Sequence, residues 1–283
     1  MSTVRSHTMG PSPMRKAGLA LLGLVVSIVF LLPYGVMLIT AVKPRKEMMA
    51  IPSTYLPSHW DWHNFIGAFQ YAPIAQYLKN TWIVAAFATL LVIVVAIPAA
   101  YYVARNNFRG KSAFLLLVLV TQMFSPSALV IGIYQEVVNL NQVNTYLALI
   151  VVDAAFNLAF SVWILSGFFA SIPKEIDEAA WIDGCNRFKT MTKVAIPLAA
   201  PGIVTAVVFT FIAAWNEFVI ALTLTNGPER QPITVGLTAF IGQYEIQWNY
   251  LFAAAVIAII PVVILFGVIE RWLVGGLTSG GVK

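Results

Sequence analysis

The sequence predicts an all-α integral membrane protein with six transmembrane helices and both termini cytoplasmic. Three observations carry that prediction. Of the 283 residues, 59% are hydrophobic and only 10% charged, against about 25% charged in an ordinary soluble domain. Six apolar stretches each approach or exceed the roughly 20 residues that a helix needs to cross a bilayer core about 30 Å thick. The lysines and arginines between those stretches are distributed unequally. A soluble enzyme, a disordered regulator and a nucleic-acid module are excluded by the first observation alone. The net charge of +5 does not point to nucleic acid, because the basic residues are scattered along loops between apolar runs. A single cysteine excludes a disulfide scaffold and a cysteine-based metal cluster.

The spans fall at about 18–42, 82–104, 113–135, 147–169, 201–224 and 250–270. None shows the dyad alternation of a barrel strand, and a helix is the other way to satisfy every backbone group within lipid. The first run is longer than the apolar core of a signal peptide and has no small-residue cleavage site, so it is expected to be retained. This divides the chain into an N-terminal tail (1–17), a six-span unit (18–270) and a C-terminal tail (271–283). Pro33, Pro98, Pro126 and Pro261 are candidate helix breaks within spans. Twelve Lys and Arg residues fall in the two tails and the loops after spans two and four, and five in the remaining loops. The excess of positive charge marks the cytoplasmic side.

The loop at 171–200 reads as a compact helix–turn–helix on the inner face. Pro173 suits a first helical turn, and Glu175, Asp177 and Glu178 put negative charge at its favoured end. Gly184 offers a left-handed stop, a second helix runs to about Val194, and Pro197 and Pro201 redirect the chain into span five. Ile176, Ala179, Ala180 and Ile182 give a small apolar surface beside the carboxylates. That surface fits a protein-docking knob, and equally a connector with one interfacial helix.

Glu178-Ala179-Ala180, then Gly184 and Val194-Ala-Ile-Pro197, resembles the EAA motif of ABC importer permeases, with Val194 and Ile196 as conservative departures. The resemblance extends along the chain. Pro33-Tyr34 with Lys43-Pro44, Ala104-Arg105 with Phe108-Arg109-Gly110-Lys111, Trp215-Asn216-Glu217-Phe218, and the tail from Arg271 to Lys283 are similar to carbohydrate importers, and the tail to the maltose-type second permease. The resemblance implies the type I ABC importer permease fold. It implies a heterodimer with a second permease subunit, two ATP-binding subunits that hold ATP and Mg, and an extracytoplasmic solute-binding protein, in a prokaryotic inner membrane. Glu178, Ala179, Ala180, Asp183, Gly184 and Pro197 would form the ATPase-coupling element. Residues 276–283 would add a second contact or remain a plain tail, and loop 225–249 would reach the binding protein.

No cofactor is expected in this chain. Gly110-Lys111-Ser112 is not a phosphate loop, because Arg105 stands where the earlier glycine is required. His59 and His63 are spaced i, i+4 around Asp61 without a third strong ligand, so no metal site is predicted. Cys185 reads as a bland thiol, and no cluster of acid, base and nucleophile appears, so no catalytic residue is expected.

Intramembrane polar groups are costly. Gln122, Asp153, Asn157, Asn216 and Glu217 lie between the outer third and the midplane of three spans, at about 1.5 Å of rise per residue. They suit a path for a hydrophilic sugar, with aromatic faces such as Phe160 or Trp215. The alternative is interhelical hydrogen bonding, worth about 0.6–2 kcal/mol each. The expectation is therefore a non-catalytic permease subunit of a sugar importer. A permease for an amino acid or glycerol-phosphate compound, or an ion-coupled secondary transporter, is the rival.

Overall fold

A computed structural model describes residues 13–52 and 54–279. Its helices are α1 (Pro13–Ala41), α2 (His63–Tyr71), α3 (Ile74–Arg105), α4 (Lys111–Thr121), α5 (Pro126–Asn139) and α6 (Tyr146–Ser171). There follow α7 (Lys174–Ile182), α8 (Arg187–Thr190), α9 (Ile196–Leu198), α10 (Ala200–Trp215), α11 (Val219–Leu224), α12 (Ile233–Gly236) and α13 (Trp248–Ser279). Four helices are long and apolar enough to cross a membrane, and two bent pairs raise the number to as many as six.

The centre of the fold is α3 against α6 and α10. Alanines 85, 88, 96 and 100 line the buried side of α3, and small side chains let helix backbones approach closely where lipid gives no hydrophobic drive. Ala96 and Ala100 pack with Leu165 and Phe169 of α6 and Ala206 of α10. A Cβ on Gly202 would lie 2.3 Å from the Phe168 ring, so α10 can cross α6 there only with glycine. Ser161 and Thr210 bridge the same two helices at 3.0 Å.

A second cluster joins α1, α2 and α13. Helix ends leave carbonyls without partners, and buried Asn64 of α2 serves two near the end of α1. Its Nδ2 donates to Ala41 O at 3.1 Å and Lys43 O at 3.0 Å, while its Oδ1 accepts from Asn249 Nδ2 at 2.9 Å.

The boundaries of spans one and four agree with the sequence expectation to within a few residues. Span two begins earlier, at Ile74. Span three is not continuous: α4 and α5 meet at 93°. The cause is Pro126, which lacks an amide hydrogen and keeps the preceding residue extended. Ser125 accordingly has φ −70° and ψ 137° and caps α5 through a bond from Ser127 N. Span five is broken too, with α10 ending at Trp215 and α11 starting at Val219. Pro33, Pro98 and Pro261 lie inside unbroken helices. Helix α13 continues through Ser279 rather than stopping near 270, so most of the expected C-terminal tail is helical. Residues 1–12 of the N-terminal tail and 280–283 of the other lie outside the described residues.

The segment after α1 is fastened by side chains. Lys43 Nζ donates to Thr54 O, and Ser58 donates through Oγ to Glu47. Arg45 Nη2 meets Glu245 at 2.5 Å. The Ser58 hydroxyl holds the Glu47 carboxyl below its ordinary 4.5, and the Arg45 hydrogen bond does the same for Glu245. A depressed carboxylate contributes stability that is present above its unfolded value and lost as pH falls through its folded one. Protection factors of the amides in 43–61 and 241–247, taken against the intrinsic exchange rate at each pH, are therefore expected to fall once pH drops below about 4.5, with the helices of the α3–α6 core unaffected. Unchanged protection down to pH 3 would remove these contacts as fasteners.

Candidate functional site

Two regions hold the residues the sequence singles out. The first is the connection between α6 and α10. Pro173 starts α7, Glu175 and Asp177 occupy its first turn, and Gly184 leaves it at φ +82°, a conformation glycine adopts without strain. Gly184 N donates to Trp181 O at 3.0 Å and Cys185 N to Ala180 O at 2.9 Å, closing the helix end. Asn186 then caps α8 by accepting from Lys189 N at 2.8 Å. A short π-helical stretch, Met191–Ala195, leads into α9. The axis of α8–α9 meets α10 at 79°, where Pro197 and Pro201 flank the turn.

This folding presents one face outward. Glu178, Ala179, Asp183 and Gly184 are exposed, together with Trp181 (46%), Ile182 (87%) and Phe188 (68%). Ala180 turns inward and is 7% exposed. Ile176, expected beside Ala179 on the apolar surface, packs against the α3–α6 core. Pro197 is exposed at the bend rather than on the α7 surface.

The inward face carries a cluster that sequence reasoning missed. Asp177, read there only as a helix-end charge, is almost fully buried. Its Oδ2 accepts from Tyr101 Oη at 2.8 Å and its Oδ1 from Arg105 Nη2 at 3.3 Å. Arg105 Nε stands 2.7 Å from Oδ2, an ionic contact outside hydrogen-bond alignment. Arg105 Nη1 donates to Ile172 O at 2.7 Å, taking up a carbonyl left over at the end of α6. The available signal was the i, i+4 pair Tyr101/Arg105 closing an apolar helix opposite an acidic first turn.

The second region lies in the membrane-spanning part. Glu217 sits in the break between α10 and α11, where its two carboxylate oxygens accept from Ile220 N and Ala221 N, both at 2.8 Å. Its carbonyl accepts from Thr234 Oγ1 at 2.6 Å. Asp153 of α6 is buried. Asn157 Nδ2 returns to Asp153 O at 2.8 Å, and Gln122, at the bend between α4 and α5, donates to Phe156 O at 3.0 Å. Gln122, Asp153 and Asn157 thus gather around the N-terminal half of α6. Asn216 faces elsewhere. Exposed, with Nδ2 bonded to Ile212 O at 2.9 Å, it lines a cavity of about 800 Å³ with Tyr34, Met37, Trp215, Thr234 and Ile259. Four of the five polar groups therefore satisfy backbone at helix breaks or within a helix, which is the interhelical-bonding role in part.

His63 opens α2 while His59 precedes it, so the two do not share a helical face. His63 Nδ1 lies 3.6 Å from Asp61, and His59 Nδ1 lies 3.3 Å from Ser58 Oγ. Gly110, at φ +91°, caps α4 in a turn.

Residues 93–279 match the family described as binding-protein-dependent transport system inner membrane component. The chain belongs to that family. It is accordingly a membrane permease subunit of an ABC transporter, a component of the inner membrane. Over 246 residues the permease is 34% identical to the sulfoquinovosyl glycerol transport system permease protein SmoH of Agrobacterium fabrum, covering 87% of this chain and 86% of the relative. It is 40% identical over 208 residues to the trehalose/maltose transport system permease protein MalG of Thermococcus litoralis, covering 73% and 75%. In fold the permease is similar to a chain of a bacterial ABC transporter involved in import of the acidic polysaccharide alginate. That match has a TM-score of 0.78 at 22% identity and covers 93% of this chain and 99% of that one.

Proposed function

We propose that this permease forms one half of an ATP-driven import pathway for a carbohydrate and does no chemistry of its own. Its companions would be a second permease subunit, two ATP-binding subunits holding ATP and Mg, and an extracytoplasmic sugar-binding protein. Both termini and the α7–α9 connection would face the cytoplasm. Carbohydrate as the solute is supported by the sugar-conjugate and disaccharide named for SmoH and MalG.

The observation that carries the coupling reading is the outward face of 178–188. A water-soluble loop rarely leaves Trp181, Ile182 and Phe188 all open to solvent beside carboxylates. A shallow apolar patch with Glu178 and Asp183 at its edge suits insertion into a cleft of a partner. Glu178, Ala179, Asp183 and Gly184 would make the contact. Ala180 and Pro197 would hold its shape, one packed beneath α7 and the other setting the bend into α10.

For the path, Asn216 is the best placed of the five polar groups to meet a solute, because it alone lines the cavity. Asn216→Ala is expected to change the half-saturating sugar concentration for uptake severalfold with the complex intact. Asp153→Ala is expected to act on stability instead. Unchanged uptake by Asn216→Ala would return Asn216 to a purely structural role.

The function is tested by co-expressing the chain with its companion subunits, reconstituting the complex in lipid and measuring ATP hydrolysis with the binding protein and a panel of sugars. Stimulation by one sugar-loaded binding protein is the expected result. Stimulation by an amino acid or glycerol-phosphate compound would move the permease to that solute class, and failure to assemble with any ATPase subunit would overturn the coupling reading.

A further inference from the structure

We infer that α3 is a rigid strut that carries the movement of the cytoplasmic docking helix to the external loop 228–233, through a polar lock at each end. The inference rests on the docking reading of α7 given above. At the inner end, Arg105 and Asp177 form the one ion pair buried on both sides among the described residues, with side chains 9% and 3% exposed. Tyr101 completes it, packed edge-on against Phe169 at 5.6 Å. Arg105 also holds Ile172 O, so a single guanidinium fixes α3, the end of α6 and the first turn of α7 to one another. A planar fork with several donors in fixed directions does this as an ammonium cannot.

The outer end is locked differently. Asn80 is fully buried. Its Nδ2 donates to Gln231 O at 2.8 Å and Pro228 O at 3.3 Å, and its Oδ1 accepts from Tyr146 Oη at 2.6 Å. Thr81 Oγ1 accepts from Ile233 N at 2.7 Å, and Gln76 donates to Glu229 O at 3.2 Å. Gly236 presses on the Tyr77 ring, where a Cβ would lie 2.2 Å from Cδ2. The loop therefore has no freedom to move without α3.

The helix that carries both locks is continuous for 32 residues, with small buried side chains along its contact with α6. Residues 80 and 105 are about 37 Å apart at about 1.5 Å of rise per residue. Spans three and five are broken, whereas α6 is unbroken and is tied to α3 at both locks, through Tyr146 and Ile172, so α3 and α6 move as one body. Displacement of α7 by a docked ATPase must therefore either shift α3 and the external loop with it or break the Arg105 lock. The low exposure of the lock, whose guanidinium keeps two nitrogens hydrogen-bonded, favours the first. Arg105, Tyr101, Asp177, Asn80 and Thr81 are positioning residues in this scheme, and none touches a solute.

The test uses the full reconstituted complex with one spin label at Glu229→Cys in a Cys185→Ala background. Trapping nucleotide on the ATPase subunits is expected to alter the label's spectrum in the otherwise native permease. Arg105→Met/Asp177→Leu removes both charges together, which avoids a lone buried charge. It is expected to assemble and hydrolyse ATP at the basal rate, to abolish the spectral response, and to cut binding-protein stimulation about fivefold or more. Thr81→Val is a milder second variant, nearly isosteric, that removes the acceptor for Ile233 N. It is expected to weaken the same response from the other end, since Asn80 and Gln76 still hold the loop. A normal response in either assembled variant overturns the strut. If the otherwise native complex neither binds ATPase subunits nor responds, the docking reading fails instead.

Discussion

Glu217→Ala is expected to destabilise the assembled permease by about 2 kcal/mol or more, since each buried amide stripped of its acceptor costs about 1–3 kcal/mol. Two are stripped at once, those of Ile220 and Ala221, at the start of a helix that has no other cap. Within the membrane-spanning region water is scarce, and a freed N–H finds no ready substitute. For a chain of this size the loss corresponds to a fall of about 4–8 °C in the midpoint of thermal unfolding. Glu217→Gln keeps one accepting oxygen and should lose about half as much. The midpoints of the three complexes in lipid nanodiscs check this. Equal midpoints would mean that the break after Trp215 is held by something else, and Glu217 would return to the list of residues available to a solute.

Glu178→Lys should leave the fold untouched and weaken the ATPase contact strongly. Its side chain is exposed and makes no hydrogen bond among the described residues, so reversing its charge removes nothing from α7. In a docked cleft the reversal opposes whatever cation meets Glu178, and an interface hot spot is worth about 2 kcal/mol or more. That corresponds to roughly thirtyfold in Kd. Titrating the permease pair with isolated ATPase subunits measures it directly, and Ile182→Asp should behave alike by disrupting the apolar part of the patch. Native affinity in both variants would place the docking surface elsewhere.

Apolar runs were enough to find the spans, because a bilayer demands length and apolarity and both are visible residue by residue, whereas the short helices α2 and α12 outside them were not read. The breaks were harder to see. Pro33, Pro98, Pro126 and Pro261 look alike in sequence, yet only Pro126 interrupts its span, where Ser125 and the bend toward Phe156 supply alternative partners. Proline removes one bond, and whether the helix then turns depends on what the neighbouring helices offer. Glu217 was visible as an intramembrane charge, but its work as a cap needed α11 to exist. The docking segment was the easiest part to read: Pro173, the acidic turn and Gly184 specify α7 locally. Which of its residues face inward was not readable, because the inward side is fixed by the buried contact of Asp177 with Tyr101 and Arg105 rather than by the apolar residues of α7, of which Trp181 and Ile182 face out. Hence both Ala180 and Asp177 turn inward against expectation, the alanine packed beneath α7 and the aspartate held by Tyr101 and Arg105.

Helix α1 has consequences for how the protein is made. Its apolar stretch is exposed along its length and α13 is its principal neighbour, while the matched family region begins only at residue 93. An apolar helix of this length partitions into lipid by itself. Helix α1 precedes its principal neighbour by about two hundred residues, so it can rest in the bilayer on its own apolarity until α13 arrives to dock.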